Sequence, residues 1–209
     1  LSRSRELSVS VADLCVPAGS CVIPHLNNQG FMPVRKYSVM RWQEEDLIEP
    51  KLPEGFSFVS FRQGEIERLT SVQNEAFAGT WGFCPNTVDQ IFHRAGMSIS
   101  TMGGTIFLQR GIETVGYCWT CVLDTPIAST GNIHMIGLIP SYRARGLSKP
   151  LLVRGMSHLL AQGVKRIQLE VDSQNQPAVR LYRSMGFTRA SEIQWFEVPL
   201  SSGTETVPV

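Results

Sequence analysis

The chain has 209 residues, 43% of them hydrophobic and 18% charged, with 19 Lys and Arg against 18 Asp and Glu for a formal net charge of +1. A core of ordinary size fits this length, and one domain or one domain plus a fragment is expected. The charge balance excludes the basic excess that non-specific nucleic-acid binding needs, and no apolar run reaches the roughly 18 to 20 residues that span a bilayer, so neither nucleic acid nor membrane is an expected partner.

The N-terminus lacks the basic, then apolar, then small pattern of a secretory signal, which makes the cytoplasm the expected location. The first 50 residues do not read as the start of a domain, since they carry no initiator Met and open in polar residues. They read as part of a repeat. "LNNQGFMPVRKYSVMRW" (26–42) lies on "YRSMGFTRASEIQWFEV" (182–198) at a constant offset, Gly30-Phe31 matching Gly186-Phe187, with an apolar-rich strand after each pair. The acidic, proline-bearing "EEDLIEPKLPEG" that follows reads as a linker.

From residue 54 onward the pattern is that of a mixed α/β layer. "GFSFVSF" (55–61) alternates like a strand, and "EIERLTSVQNEAF" (65–77) places Ile66, Leu69, Val72, Ala76 and Phe77 on one helical face. "NTVDQIFHRAG" (86–96) predicts a second helix. "TIFLQ" (105–109) and "ETVGYCWTCVL" (113–123) predict a hairpin turning at "RGI", and "GNIHMIGLI" (131–139) a further strand. Leu147, Leu151, Leu152, Met156, Leu159 and Leu160 recur at helical spacing up to a C-terminal Gly163. Then come strand "RIQLEV" (166–171), helix "QPAVRLYRSMG" (176–186) and strand "IQWFEV" (193–198).

The five cysteines, at 15, 21, 84, 118 and 121, are odd in number and irregularly spaced, which argues against a disulfide framework. "CWTC" (118–121) resembles a redox or zinc element but lies within a strand, where positions i and i+3 face opposite sides. Structural thiols and no metal site are expected.

The strand 131–139 delivers the chain into "PSYRARGLSKP" at a helix start. Such a junction exposes unpaired amide N–H groups along the helix dipole, an anion site in waiting. Gly146 permits a positive φ or close approach, Arg143 and Arg145 add charge, and Ser148 offers a hydroxyl. A basic turn capping an amphipathic helix is the other reading.

Here the sequence resembles the GNAT superfamily of acetyl-CoA-dependent N-acetyltransferases. Their signature, Arg/Gln-x-x-Gly-x-Gly/Ala between a strand and a helix, has Arg143, Gly146 and Ser148 in its places, Ser being a departure. A second block, "LEVDSQNQPAVRLYRSMGF" (169–187), matches the family's Asn, Ala, Leu-Tyr and Gly-Phe pattern. The resemblance covers about residues 55 to 200 and is similar to the tandem-domain, mycothiol-synthase-like members. It implies an α/β (α+β) fold with a central mixed, largely antiparallel sheet flanked by helices. It also implies residues 1–46 as the remnant of a degenerate repeat, 47–54 as linker, 55–200 as acetyltransferase domain and 201–209 as tail.

By resemblance, Ile136, Gly137 and Leu138 would pair with pantetheine, and Arg143, Ala144, Arg145, Gly146, Leu147, Ser148 and Lys149 would wrap the phosphates. Asn175 matches a family cofactor ligand and is equally a routine helix cap. Tyr182 matches the tyrosine that protonates the departing thiolate, its ordinary pKa near 10 keeping it a donor at neutral pH. Glu170 and His134 occupy positions of the base in two different branches of the family, and a water relay is the third option. Glu75, Trp81 and Phe83 border the expected acceptor pocket. Leu26 stands where the repeat would place Tyr182, so no chemistry is expected in the first copy. The implied reaction moves an acetyl group from acetyl-CoA to a primary amine, on a small molecule or on a peptide. A homodimer is one assembly considered, and a non-catalytic CoA-binding sensor is the reading from another class.

Overall fold

The computed structural model describes residues 11–43, 46–62, 64–97, 104–124 and 129–200; the chain's first ten residues and the tail 201–209 lie outside them. The elements run β1 (Val11–Pro17), α1 (Ile23–Asn28), β2 (Met32–Trp42), β3 (Phe56–Ser60), α2 (Ile66–Phe77), α3 (Val88–Met97), β4 (Thr105–Arg110), β5 (Glu113–Asp124) and β6 (Ser129–Leu138). A 3-10 turn (Pro140–Tyr142), α4 (Ser148–Ala161), β7 (Ile167–Asp172), α5 (Gln176–Ser184) and β8 (Thr188–Pro199) follow. All eight strands form one sheet in the order β1-β8-β2-β7-β6-β5-β4-β3. Every neighbouring pair is antiparallel except β6 and β7. This is the mixed, largely antiparallel, helix-flanked sheet that the sequence implies.

The helices pack where their apolar stripes require. On α2, Ile66, Leu69, Val72 and Ala76 are buried at three- and four-residue spacing, and the helix lies on one face of the sheet with Ala76 and Phe77 over Gly137. On α4, Leu151, Leu152, Met156 and Leu159 are buried, and the helix covers the opposite face. Gly155 brings α4 close to the sheet, for a Cβ there would collide with Cys118 Sγ and stand 3.3 Å from Thr120 Cγ2. Gly155→Ala is therefore expected to cost about 1 to 3 kcal/mol by overpacking. A denaturant midpoint unchanged from wild type would contradict that packing.

The two sulfurs of "CWTC" diverge as expected. Cys118 is fully buried beneath α4, where burial pushes its thiol up to about 12. Cys121 Sγ lies 3.7 Å from Asn132 Nδ2, which donates to it. No group that could hold a metal occurs among the described residues, and none of their helices is long and apolar enough to cross a membrane.

The sequence left open whether the N-terminal segment packs on this domain. It does, as β1 and β2, with β2 inserted between β7 and β8. The segment β1-α1-β2 repeats β7-α5-β8 at the offset seen in the sequence. In both, the helix ends on a left-handed glycine, Gly30 at φ 83° and Gly186 at φ 87°. In both, the following Phe N–H closes the helix, Phe31 onto Leu26 O and Phe187 onto Tyr182 O, each at 3.0 Å. Exchanging the two segments leaves the order β1-β8-β2-β7 and its antiparallel pairing unchanged. This part of the sheet therefore has a local pseudo-twofold axis between β2 and β8.

Three features differ from the sequence reading. β1 and α1 were not expected, and β8 begins at Thr188, five residues early. The stretch Thr188–Ser191 is exposed and holds no bulky apolar residue, so no apolar alternation marks it; register with β2 makes it a strand.

Candidate active site

The site lies where β6 and β7 part. The two strands pair in parallel only over Gly131–Ile133 and Ile167–Leu169, although β6 continues to Leu138 and β7 to Asp172. A bulge on β6 starts the divergence. Trp119 pairs with Met135 and Thr120 with Ile133, so His134 is an extra residue on its strand. Such an insertion bends the bulged strand and raises its twist. Ile136, Gly137 and Leu138 thereby keep β5 on one side and lose β7 on the other, leaving an edge that can pair with an extended ligand.

Immediately beyond, the backbone alternates handedness. Arg143 is extended at φ -70° and ψ 160°, Ala144 is left-handed at φ 58°, and Gly146 is left-handed at φ 74°. Successive amides in such alternating conformations converge on a concavity suited to an anion. α4 then starts after the N-cap Leu147, which offers no side-chain cap, so the first amides of this 14-residue helix carry the positive end of the dipole unneutralised. Pro150 falls within the first turn, where the N–H it lacks would have had no partner within the helix.

A cavity of about 480 Å³ fills the cleft, within the usual range for small-molecule sites. Ile136, Gly137, Leu138, Arg143, Ala144, Gly146, Ser148, Lys149, Asn175 and Tyr182 all line it, joined by Ala76 and Phe77 from the end of α2 and Thr80 just beyond it. The donors and shape suit a phosphate-bearing, extended ligand such as acetyl-CoA.

Two of the expected cofactor residues stand outside the lining. The Leu147 side chain is buried in the core, and the Arg145 guanidinium sits 5.0 Å over the Tyr142 ring. Arg143 spends its guanidinium on backbone carbonyls, Nη2 donating to Ala76 O at 2.6 Å and Nε to Leu138 O at 3.2 Å. Its role is to fasten the end of β6 to the end of α2. Asn175 is the N-cap of α5, accepting from the Ala178 N–H at 3.3 Å, and its two side-chain N–H donors are left for the cavity it lines.

Tyr182 is buried on α5, its ring 5.9 Å from that of Phe187. Burial first, and the Cys118 thiol second, push its hydroxyl well above the ordinary tyrosine value. The hydroxyl stays protonated throughout the neutral range. Of the two base candidates, His134 sits on the bulge with its ring edge-on to Trp119, centroids 5.1 Å apart. The residue is exposed and outside the cavity lining, and partial burial of the ring, then Arg94, hold its pKa below the usual imidazole value. Glu170 pairs with Val39 of β2 just past the last β6–β7 pair, outside the cavity lining; the residue is exposed, no cation pairs with it among the described residues, and partial burial of its carboxyl raises its pKa above the usual range.

The acceptor-side candidates are dispersed. Glu75 is exposed on α2, away from the buried stripe. Phe83 packs on Phe77 at 5.8 Å, and Trp81 joins Tyr37 and Trp195 instead. Tyr37, Arg35 and Trp195, which meet Trp81 outside the cavity lining, had no signal in the sequence, because β2 lies beside β8 only through the strand insertion.

Residues 66–187 match the acetyltransferase (GNAT) family. Among curated relatives, mycothiol acetyltransferase of Thermomonospora curvata is 31% identical over 179 residues, 82% of this chain and 58% of that protein. The mycothiol acetyltransferase of Thermobispora bispora is 34% identical over 155 residues, 68% of this chain and 50% of that protein. The chain thus spans about half the length of the curated relatives it matches. Among solved structures, a GCN5-related N-acetyltransferase from Sphaerobacter thermophilus superposes with a TM-score of 0.74 at 22% identity, over 90% of this chain and 59% of that one. A tandem GNAT protein from the clavulanic acid biosynthesis pathway gives 0.70 at 12% identity, over 98% and 68%. The matched residues contain the bulged strand, the left-handed loop and the helix that build the cavity, and the chain belongs to the acetyltransferase (GNAT) family.

Proposed function

We propose that the chain transfers an acetyl group from acetyl-CoA to a primary amine of a small molecule by direct attack. The observation that carries this reading is the convergence on one cavity of an unpaired strand edge, an uncapped helix start and a buried phenol. Acetyl-CoA supplies the activated acyl group. The residues of this chain hold it against the acceptor, with β6 pairing to the pantetheine arm and the amides of 143–149 facing the pyrophosphate. Much of the rate then comes from orientation and from fixed amide dipoles near the thioester carbonyl. Tyr182 gives its proton to the leaving thiolate.

Glu170 is the proposed base that relieves the amine of its proton, supported by its free carboxylate and raised pKa. Because that pKa lies above the ordinary carboxylate value, the rate should fall on the acid side through a pH above the usual glutamate range. Glu170→Gln is expected to abolish this limb and slow turnover by about 10² to 10⁴. An intact limb in Glu170→Gln, together with its loss in His134→Gln, would transfer the role to His134.

Relatives carrying the name mycothiol acetyltransferase make an acceptor of the mycothiol class the first to try. The general test is release of free CoA thiol from acetyl-CoA across a panel of primary amines and peptides, with the acetylated product identified by mass. Acetylation confined to peptides would favour a protein acceptor, and binding without turnover a sensor.

We also infer that residues 1–46 are the end of a preceding, degenerate copy of the fold, with 47–54 as linker, 55–200 as the catalytic unit and 201–209 as tail. The matching helix ends at Gly30 and Gly186 and the local pseudo-twofold axis support this. Leu26 stands in place of Tyr182, so that copy has no proton donor at the equivalent position.

A further inference from the structure

Beside the cavity, three aromatic rings from three separate parts of the chain meet. Tyr37 of β2 lies 6.3 Å from Trp81 and 6.0 Å from Trp195 of β8, and the two tryptophans are 5.8 Å apart and edge-on at 79°. All three residues are partly exposed rather than buried. Core aromatics would be covered.

None of the three rings lines the cavity itself, and chain connectivity ties the group to two of its lining residues. Trp81 directly follows Thr80, a lining residue, and its loop is anchored by Asn74, which accepts from the Asn86 N–H at 2.8 Å and donates to Asn86 O at 2.9 Å. Asp172, paired in register with Tyr37, ends the strand that leads to the lining residue Asn175.

The charge around the rings is specific in sign. Arg35 extends over Trp81, 5.4 Å from its centroid, but its Nε and Nη2 donate to Asp172 Oδ2 at 2.9 and 2.7 Å, which neutralises both partners. Glu170 is left as the unpaired charge, and its carboxylate is among the groups that raise the Tyr37 hydroxyl, after burial and Asp172. Electron-rich ring faces beside an uncompensated carboxylate attract a cation and reject an anion.

We propose that Tyr37, Trp81 and Trp195 form a basket that receives the acceptor as its ammonium ion, so that the N-terminal segment contributes directly to acceptor recognition. The basket holds the cation beside Glu170, which then takes the proton before attack. This inference rests on the acetyltransferase reading for its purpose, but its test does not depend on turnover.

Choline and its neutral isostere 3,3-dimethyl-1-butanol serve as probes, titrated against the full chain while tryptophan fluorescence is followed. Saturable binding of choline, tighter than that of the alcohol by about 3- to 30-fold, is expected from the ring–cation attraction. Trp81→Leu, in a loop outside every helix and strand, should abolish the preference, and Tyr37→Leu should reduce it, while both variants keep the wild-type affinity for acetyl-CoA. Equal binding of the two probes, or no saturable binding of choline by wild type, would overturn the basket. Absence of acetyl-CoA binding alongside an intact choline preference would instead refute the acetyltransferase reading and leave the cation site standing.

Discussion

A Tyr182→Phe variant should bind acetyl-CoA as tightly as the wild type and turn over about 10² to 10⁴ times more slowly, the usual contribution of a positioned general acid. The ring fills the same space in both, since Tyr182 is buried against Phe187 and loses only its oxygen. What disappears is the proton. Burial and the Cys118 thiol raise the Tyr182 pKa above that of free tyrosine. The wild-type donor therefore stays protonated up to and beyond about pH 10, and kcat should not decline through pH 9 on its account. A structural tyrosine would behave differently, with kcat of the phenylalanine variant within about threefold of wild type. Steady-state kcat and KM for both substrates across pH 6 to 9 decide between the two.

Gly146→Asp is expected to weaken acetyl-CoA binding by about 10³-fold. The position is open, for no atom lies within 4 Å of a Cβ built there, so the side chain would enter the cavity wall without unfolding the loop. Its carboxylate would stand where the loop amides face the pyrophosphate. A like-charge pair at about 4 Å is worth roughly 4 kcal/mol at the effective dielectric of a protein surface, which is the expected loss. The left-handed φ of 74° adds about 1 kcal/mol of backbone cost in the folded state. Gly146→Ala separates the two contributions, because it carries the backbone cost and no charge. Calorimetric affinities of the two variants that were equal would remove the electrostatic explanation.

How far these residues were visible in the sequence depended on whether their environment was local. The turn at 143–149 was legible because a glycine between a strand and an amphipathic helix suits a positive φ, which Gly146 adopts. Ala144, the loop's other left-handed residue, had no such signal, since its side chain does not advertise a positive φ. Arg143 was expected to add charge at the loop, and its guanidinium donates to Ala76 O and Leu138 O while the residue lines the cavity, a tie the sequence does not show. That tie arises from the placement of α2, a tertiary contact between residues far apart in sequence. The bulge at His134 was invisible for the same reason, because an extra residue shows only when the partner strand is known.

The N-terminal segment shows the limit most clearly. Its likeness to residues 182–198 was readable from Gly-Phe pairs and strand patterning, and the helix ends at Gly30 and Gly186 adopt the same geometry. The insertion of β2 between β7 and β8 was not readable, because a strand's neighbours are chosen by exposed edges and shared faces elsewhere in the chain. Tyr37 and Arg35 meet Trp81 and Asp172 by that insertion alone.

Titration of acetyl-CoA into the wild-type protein by calorimetry, before any acceptor is sought, tests the central claim most directly. Saturable binding with one molecule per chain, competed by CoA, is the predicted result. No binding by a protein whose circular dichroism shows the mixed helix and sheet described here would contradict the claim and reduce the loop at 143–149 to the entrance of a helix.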